Sequence, residues 1–157
     1  LAITLRTLTD SDLDALFVWE SDPRAVEMAA FTRADPSNRS DFDAHYERVR
    51  NDPANLLLAI DDDAEFVGTV GSFTMKGERE VTYWIAPARW GQGLASQALR
   101  AFLAIELTRP LYGRVADHNG ASAKVLARAG FVEVGFDTAF AAGVGAEVLE
   151  RIYRLDQ

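Results

Sequence analysis

Tyr83-Trp84-Ile85-Ala86-Pro87-Ala88-Arg89-Trp90-Gly91-Gln92-Gly93-Leu94-Ala95-Ser96 is the stretch on which the fold turns. Residues 80–85 alternate, with Val81, Tyr83 and Ile85 on one face, and read as a strand. Residues 86–93 form a loop, and residues 94–107, rich in Ala and Leu and stopped by Pro110, read as a helix. Gly91 and Gly93 lack Cβ, so the backbone can turn sharply and bring several N–H groups close to a ligand. Those donors lie at a helix N-terminus, where unpaired amides and the macrodipole favour an anion such as a pyrophosphate. Ser96 adds a hydroxyl one turn in. A glycine turn without a ligand is the plainer alternative.

Upstream, residues 1–8 alternate as a strand, and Thr9 caps a helix with Asp12 three residues on and Leu8/Leu13 placed as a staple. Leu13, Leu16, Phe17 and Glu20 mark its inner face, and it ends before Pro23. Residues 23–38 are turn-rich, with helical potential over 25–29. Ser40 is expected to cap a second helix carrying Phe42, Tyr46 and Val49, which ends near Asn51-Asp52-Pro53. Residues 56–60 and 66–73 are strands around the turn Asp61-Asp62-Asp63-Ala64, which lacks the spacing of a calcium loop. Lys76-Gly77-Glu78 makes the next turn. Downstream come a strand at 111–115 and a helix from its cap Asn119 to Ala129, with Gly130 as the left-handed residue beyond it. Residues 131–136 and 148–155 are closing strands joined around Gly143-Val144-Gly145. The short turns between the early strands favour antiparallel pairing. The expected class is mixed α/β (α+β): one domain over residues 1–157, with a mostly antiparallel central sheet flanked by helices and no repeats or linker.

The 157 residues, 48% hydrophobic and 25% charged, exclude disorder as the main state and suffice for a core. With no Cys, two His and no HExxH spacing, a disulfide framework, a thiol nucleophile and a metal centre are not expected. No apolar run approaches the ~18 residues of a membrane helix. No charged-then-apolar targeting segment opens the chain, and the start at Leu1 rather than Met points to trimming. The net charge of −8 argues against a nucleic-acid partner. Residues 1–80 carry 17 acidic and 8 basic side chains, and 81–157 carry 7 and 8. That asymmetry is a solvated acidic surface, or a first half that draws cations beside a second that tolerates an anion. A dinucleotide fingerprint is the rival for the glycine loop, with Ser96 in its third position and Asp117 as the ribose acid. It is disfavoured because the chain offers a single strand–helix–strand unit of that kind.

Tyr83-Trp84-Ile85-Ala86-Pro87 with Trp90-Gly91-Gln92-Gly93-Leu94-Ala95 resembles the acetyl-CoA motif of the GNAT N-acetyltransferase superfamily. Asn119-Gly120-Ala121-Ser122, Val125-Leu126 and Ala129-Gly130-Phe131 resemble its second motif, in the right order. The Trp-Gly-Gln-Gly form and the Asn-x-x-Ser start are most similar to the RimL-like branch, whose members acetylate protein N-terminal amines. The resemblance implies the GNAT fold, with the strand of residues 80–85 splayed from a parallel neighbour at residues 111–115. It also implies acetyl-CoA as cosubstrate. Its pantetheine arm would lie on the backbone near Ile85 and beside Asn119, and its pyrophosphate on Gly91, Gln92, Gly93, Leu94, Ala95 and Ser96. Trp90 stands where many members carry Arg or Gln, so its side chain is expected either to touch the cofactor or to pack over the loop.

Many members draw their general acid from a tyrosine on the second-motif helix, and the matching residue here is Leu126. Ser122 then becomes the candidate acid, with a helix-start hydroxyl as the alternative. Glu80, on the strand bordering the acceptor cleft, is the candidate base, with an exposed strand carboxylate as the alternative. His118 is expected to be a solvent-facing loop residue. The implied activity is transfer of acetyl from acetyl-CoA to a primary amine, either a protein N-terminus or a small amine. Acetylation of a polyamine or aminoglycoside, and an idle acyl-CoA-binding module, are the alternatives. A cytoplasmic protein is expected, without membrane or nucleic-acid partners, and a homodimer stays open.

Overall fold

The computed structural model describes residues 3–157. Seven strands form one sheet in the order β1-β2-β3-β4-β5-β7-β6. They are β1 (Ile3–Thr7), β2 (Leu56–Asp62), β3 (Glu65–Met75), β4 (Glu78–Ile85), β5 (Leu111–Ala116), β6 (Val132–Ala141) and β7 (Ala146–Leu155). Every neighbouring pair is antiparallel except β4 and β5, which run parallel and pair only at Arg79↔Leu111 and Glu80↔Tyr112. Beyond Glu80 the two strands part, so the second half of β4 faces a split in the sheet. The expected mixed, mostly antiparallel sheet with splayed parallel strands is thus observed; residues 1 and 2 of the expected first strand lie outside the described residues.

Helices α1 (Asp10–Ser21), α2 (Pro23–Ala29) and α3 (Arg39–Asn51) precede β2; α4 (Leu94–Leu103) and α5 (Gly120–Arg128) flank β5. Alternation along the strands assigns the two faces. Leu56, Leu58, Val81, Tyr83 and Ile85 face the main core with Leu99 and Phe102 of α4 and Leu126 of α5. Leu57 and Trp84 face a smaller cluster of Leu16, Phe42 and Tyr46 from α1 and α3. The expected capping of α1 is present, the Asp12 carboxylate accepting from the Thr9 N–H at 2.8 Å.

Several boundaries differ from expectation for tertiary reasons. The turn-rich segment after Pro23 contains a true helix, started by Pro23 itself with Asp22 accepting from the Arg24 N–H at 2.9 Å. α3 is capped by Asn38, whose side chain accepts from the Asp41 N–H at 3.1 Å, and not by Ser40. Asp61 and Asp62 belong to β2, and the turn is confined to Asp63-Ala64, both at positive φ (48° and 70°). Arg6 and Arg89 hold those two aspartates as strand residues. α4 ends at Leu103 and not at residue 107, because Glu106 turns inward to accept from Ser72 Oγ at 2.5 Å and Arg79 Nε at 2.8 Å. β6 runs five residues past the expected Phe136, to Ala141.

Candidate functional site

The split between β4 and β5 opens two cavities, each of about 560 Å³, on either side of the same few residues. One is lined by the β4 end, the glycine loop and α5; the other by β4, β5, β6 and β7. Ala29, Tyr83, Trp84, Asn119 and Ser122 line both, so a ligand in one can meet a ligand in the other at that junction.

The first cavity takes its shape from the stretch that decided the fold. A 3-10 turn, Pro87–Arg89, leads into Gly91 and Gly93, whose φ values of 77° and 75° lie in the left-handed region. Gly93 is the N-cap of α4, so its positive φ aims the chain into the helix while the first amides stay unpaired. A Cβ at Gly93 would come no closer than 3.8 Å to protein, at Gln97 Nε2; a substitution there is costly through backbone strain, not through crowding within the fold. Of the residues expected to hold the cofactor, Ile85, Trp90, Gly91, Gly93, Leu94, Ala95, Ser96 and Asn119 line this cavity. Gln92 is not among its lining residues; its side-chain oxygen accepts from Arg89 Nε at 2.9 Å. The Trp90 indole N–H donates to the Ile85 carbonyl at 3.0 Å, so the ring closes over the strand end and occupies the Ile85 oxygen.

At the junction, the side chain of Asn119 caps α5 by accepting from the Ser122 N–H at 3.1 Å. Ser122 Oγ lies 2.7 Å from the Tyr83 hydroxyl, which also donates to the Ser122 carbonyl at 3.2 Å. Burial pushes the Tyr83 phenol up to about 12, against a smaller downward pull from its bond to Ser122. It therefore stays protonated at neutral pH and acts as a donor. Tyr83 is a candidate site residue that the sequence pattern does not single out, because its place between Val81 and Ile85 marks it as a core ring. The signal available was the pairing of a hydroxyl-bearing strand residue with an Asn-x-x-Ser helix start after Leu126 had replaced the usual tyrosine. Leu126 itself is 1% exposed and packs on Gly113, where an added Cβ would come within 2.8 Å of it.

The second cavity is acidic. Glu78, Glu80, Asp137 and Glu150 line it, with Arg114 and Lys76 as its cations. Arg114 reaches all four carboxylates, at 3.0 Å from Asp137, 3.1 Å from Glu150, 3.8 Å from Glu80 and 4.0 Å from Glu78. Glu80 is only 7% exposed, so the alternative of an exposed strand carboxylate is corrected. Burial raises its pKa; Arg114 opposes this, and Glu150 and Glu78 add to it. The walls beyond come from the segment after Pro23 and from β6 with the turn that follows it. Ala29 and Phe31 come from one and Asp137 and Ala139 from the other, and the Gly143 N–H donates to the Ala30 carbonyl at 2.8 Å to tie the two together. His118 is exposed and lines neither cavity; its Nε2 bonds the Glu27 carbonyl oxygen at 2.7 Å and fastens α2 to the start of α5. Asp117 is spent on Arg151 at 2.6 Å, and the antiparallel sheet order removes the dinucleotide rival. Among the described residues, no group of three or more His, Asp or Glu side chains is gathered as a metal site would need.

The family model of the acetyltransferase (GNAT) domain matches residues 2–132. No curated protein matches the chain. Among solved structures, the chain is similar to the spermidine N-acetyltransferase from Vibrio cholerae in complex with CoA and spermine. The TM-score is 0.79 at 21% identity, over 96% of this chain and 94% of that one. An N-acetyltransferase from Staphylococcus aureus Mu50 gives a TM-score of 0.81 at 18% identity, over 99% of both chains. AAC(6')-Ib in complex with ribostamycin and coenzyme A gives 0.75 at 18%, over 98% of this chain and 94% of that one. At these identities the likeness is one of fold.

Proposed function

The chain belongs to the acetyltransferase (GNAT) family, and from that premise we propose that it moves the acetyl group of acetyl-CoA onto the primary amine of a small cationic acceptor. The observation that carries the acceptor class is the second cavity, where four carboxylates face Arg114 and Lys76 and one of them, Glu80, is buried. Such a wall favours a substrate with a second positive charge. The spermidine acetyltransferase fold bound to CoA and spermine agrees with this. All of residues 1–157 then serve one catalytic domain, working in the cytoplasm.

In this scheme the glycine-loop amides and the backbone around Ile85 and Asn119 seat the cosubstrate in the first cavity, with its thioester at the junction. The acceptor amine enters from the acidic side. Glu80, its affinity for a proton raised by burial, takes the ammonium proton through water. The nitrogen lone pair attacks the thioester carbon; the C–N bond forms, the C–S bond breaks, and the new amide nitrogen releases its second proton to water. The Tyr83–Ser122 pair offers an O–H to the departing sulfur, and the proton it gives up is restored from solvent. Tyr83 thereby stands in for the phenol absent at Leu126.

The finer RimL-like reading, with a protein N-terminus as acceptor, is favoured by the Trp90-Gly91-Gln92-Gly93 and Asn119-x-x-Ser122 motifs. Thiol release with spermidine, a linear diamine, a monoamine of equal length and short peptides separates the two. A di- or polyamine kcat/KM at least about tenfold above the monoamine's, falling with added salt, is expected. Peptides turned over fastest would instead give the acceptor to the RimL-like reading.

A further inference from the structure

Arg89 is the cation next to the glycine loop, yet it is consumed within the protein. Its Nη1 donates to Glu65 at 2.7 Å, its Nε to Gln92 at 2.9 Å, and its Nη2 to Asp62. Two other cations line the first cavity, Lys124 and Arg128 of α5. Both are exposed, and neither forms a salt bridge among the described residues. They stand four residues apart, on the same side of the helix, where two like charges repel. In a chain of net charge −8, most arginines lie against a carboxylate, so an unneutralised pair facing a cleft marks the place of an anion.

The cosubstrate proposed above carries two separate anionic groups, a pyrophosphate and the 3′-phosphate of its ribose. The amides of residues 91–96 supply neutral donors at a helix N-terminus, suited to the pyrophosphate. α5 forms the facing wall. Along it, Arg128 lies six residues from Ser122, about 9 Å of helix away from the reacting end. We propose that Lys124 and Arg128 bind the 3′-phosphate and make the enzyme select CoA over 3′-dephospho-CoA. The guanidinium grips two phosphate oxygens and the ammonium adds a mobile charge. This inference rests on acetyl-CoA being the cosubstrate, and its test separates the two claims.

The test is equilibrium binding of CoA and 3′-dephospho-CoA, followed by the fluorescence of Trp84 and Trp90, which line the cavity. Wild type is compared with Lys124→Gln, Arg128→Gln and the double variant. Wild type should bind CoA roughly 10- to 100-fold more tightly than 3′-dephospho-CoA. The double variant should bind CoA as weakly as wild type binds 3′-dephospho-CoA, with affinity for the latter changed less than about twofold. Thermal melts without ligand should coincide, since both side chains are exposed. Equal weakening of both ligands would move the pair to the pyrophosphate and overturn the assignment; so would a wild type indifferent to the 3′-phosphate. Wild type that binds neither ligand would bring down the cosubstrate claim itself.

Discussion

Tyr83→Phe keeps the ring that packs against the main core and removes the hydroxyl that lies 2.7 Å from Ser122 Oγ. Two effects follow, and they separate by assay. The lost hydrogen bond costs about 1 kcal/mol of stability, a Tm shift of roughly 2–4 °C for a chain this long. The kinetic effect is larger. General acid assistance is worth about 10²–10⁴-fold, and a CoA thiolate is a tolerable leaving group, so a kcat lowered roughly 100-fold is expected. Acetyl-CoA's KM should move less than about threefold, because the contacts proposed for its phosphates and pantetheine arm lie elsewhere in the cavity. Ser122→Ala should lose about as much as Tyr83→Phe, and the double variant no more than either, since the two hydroxyls deliver one proton as a unit. Thiol release at saturating acetyl-CoA measures all three. With the phenol held up near 12, no limb of the rate profile below pH 10 should disappear in Tyr83→Phe. Wild-type turnover in both single variants, or fully additive losses in the double, would refute the paired-hydroxyl mechanism.

Asn119→Ala removes the acceptor of the Ser122 N–H and should destabilise the ligand-free protein by about 1 kcal/mol in thermal melts, besides weakening acetyl-CoA binding. Glu106 sets part of the acid stability. Burial alone would raise its pKa, but bonds from Ser72, Arg79 and Thr108 outweigh that and hold it at about 2. A depressed carboxyl stabilises the fold fully above its unfolded pKa and loses that contribution as pH falls toward the folded value. Glu106→Gln should therefore cost up to about 3 kcal/mol at pH 7 and flatten the loss of stability between about pH 4.5 and 2, read by denaturant titration.

The strand–loop–helix centre was legible in the sequence because its determinants are local. Alternation, two glycines and an Ala- and Leu-rich run leave few other conformations for residues 80–103. The Asn119 cap and Gly130 stop are local in the same way. The junction hydroxyl pair is not, since Tyr83 and Ser122 are 39 residues apart and meet only because β4 and β5 part after Glu80. The acidic cavity is hidden for the same reason. Arg114 on β5 gathers Asp137 from β6 and Glu150 from β7 through a register that no single segment reveals. Periodicity also misplaced the end of α4, because a buried carboxylate at Glu106 prefers Ser72 and Arg79 to another helical turn. Legibility ended where a residue's role depends on a partner brought by the sheet.

In the proposed arrangement two cavities, one for the acyl donor and one for a cationic acceptor, meet at Tyr83 and Ser122. The direct measurement is the affinity of a conjugate in which the CoA sulfur is joined through an acetyl link to one nitrogen of a linear diamine. Such a molecule fills both cavities at once, and linking turns the second engagement into an intramolecular one. Calorimetry should show it binding at least about 100-fold more tightly than CoA, with a neutral alkyl conjugate of the same length no better than about tenfold. A diamine conjugate that binds no more tightly than CoA, or no better than the alkyl one, would contradict the account.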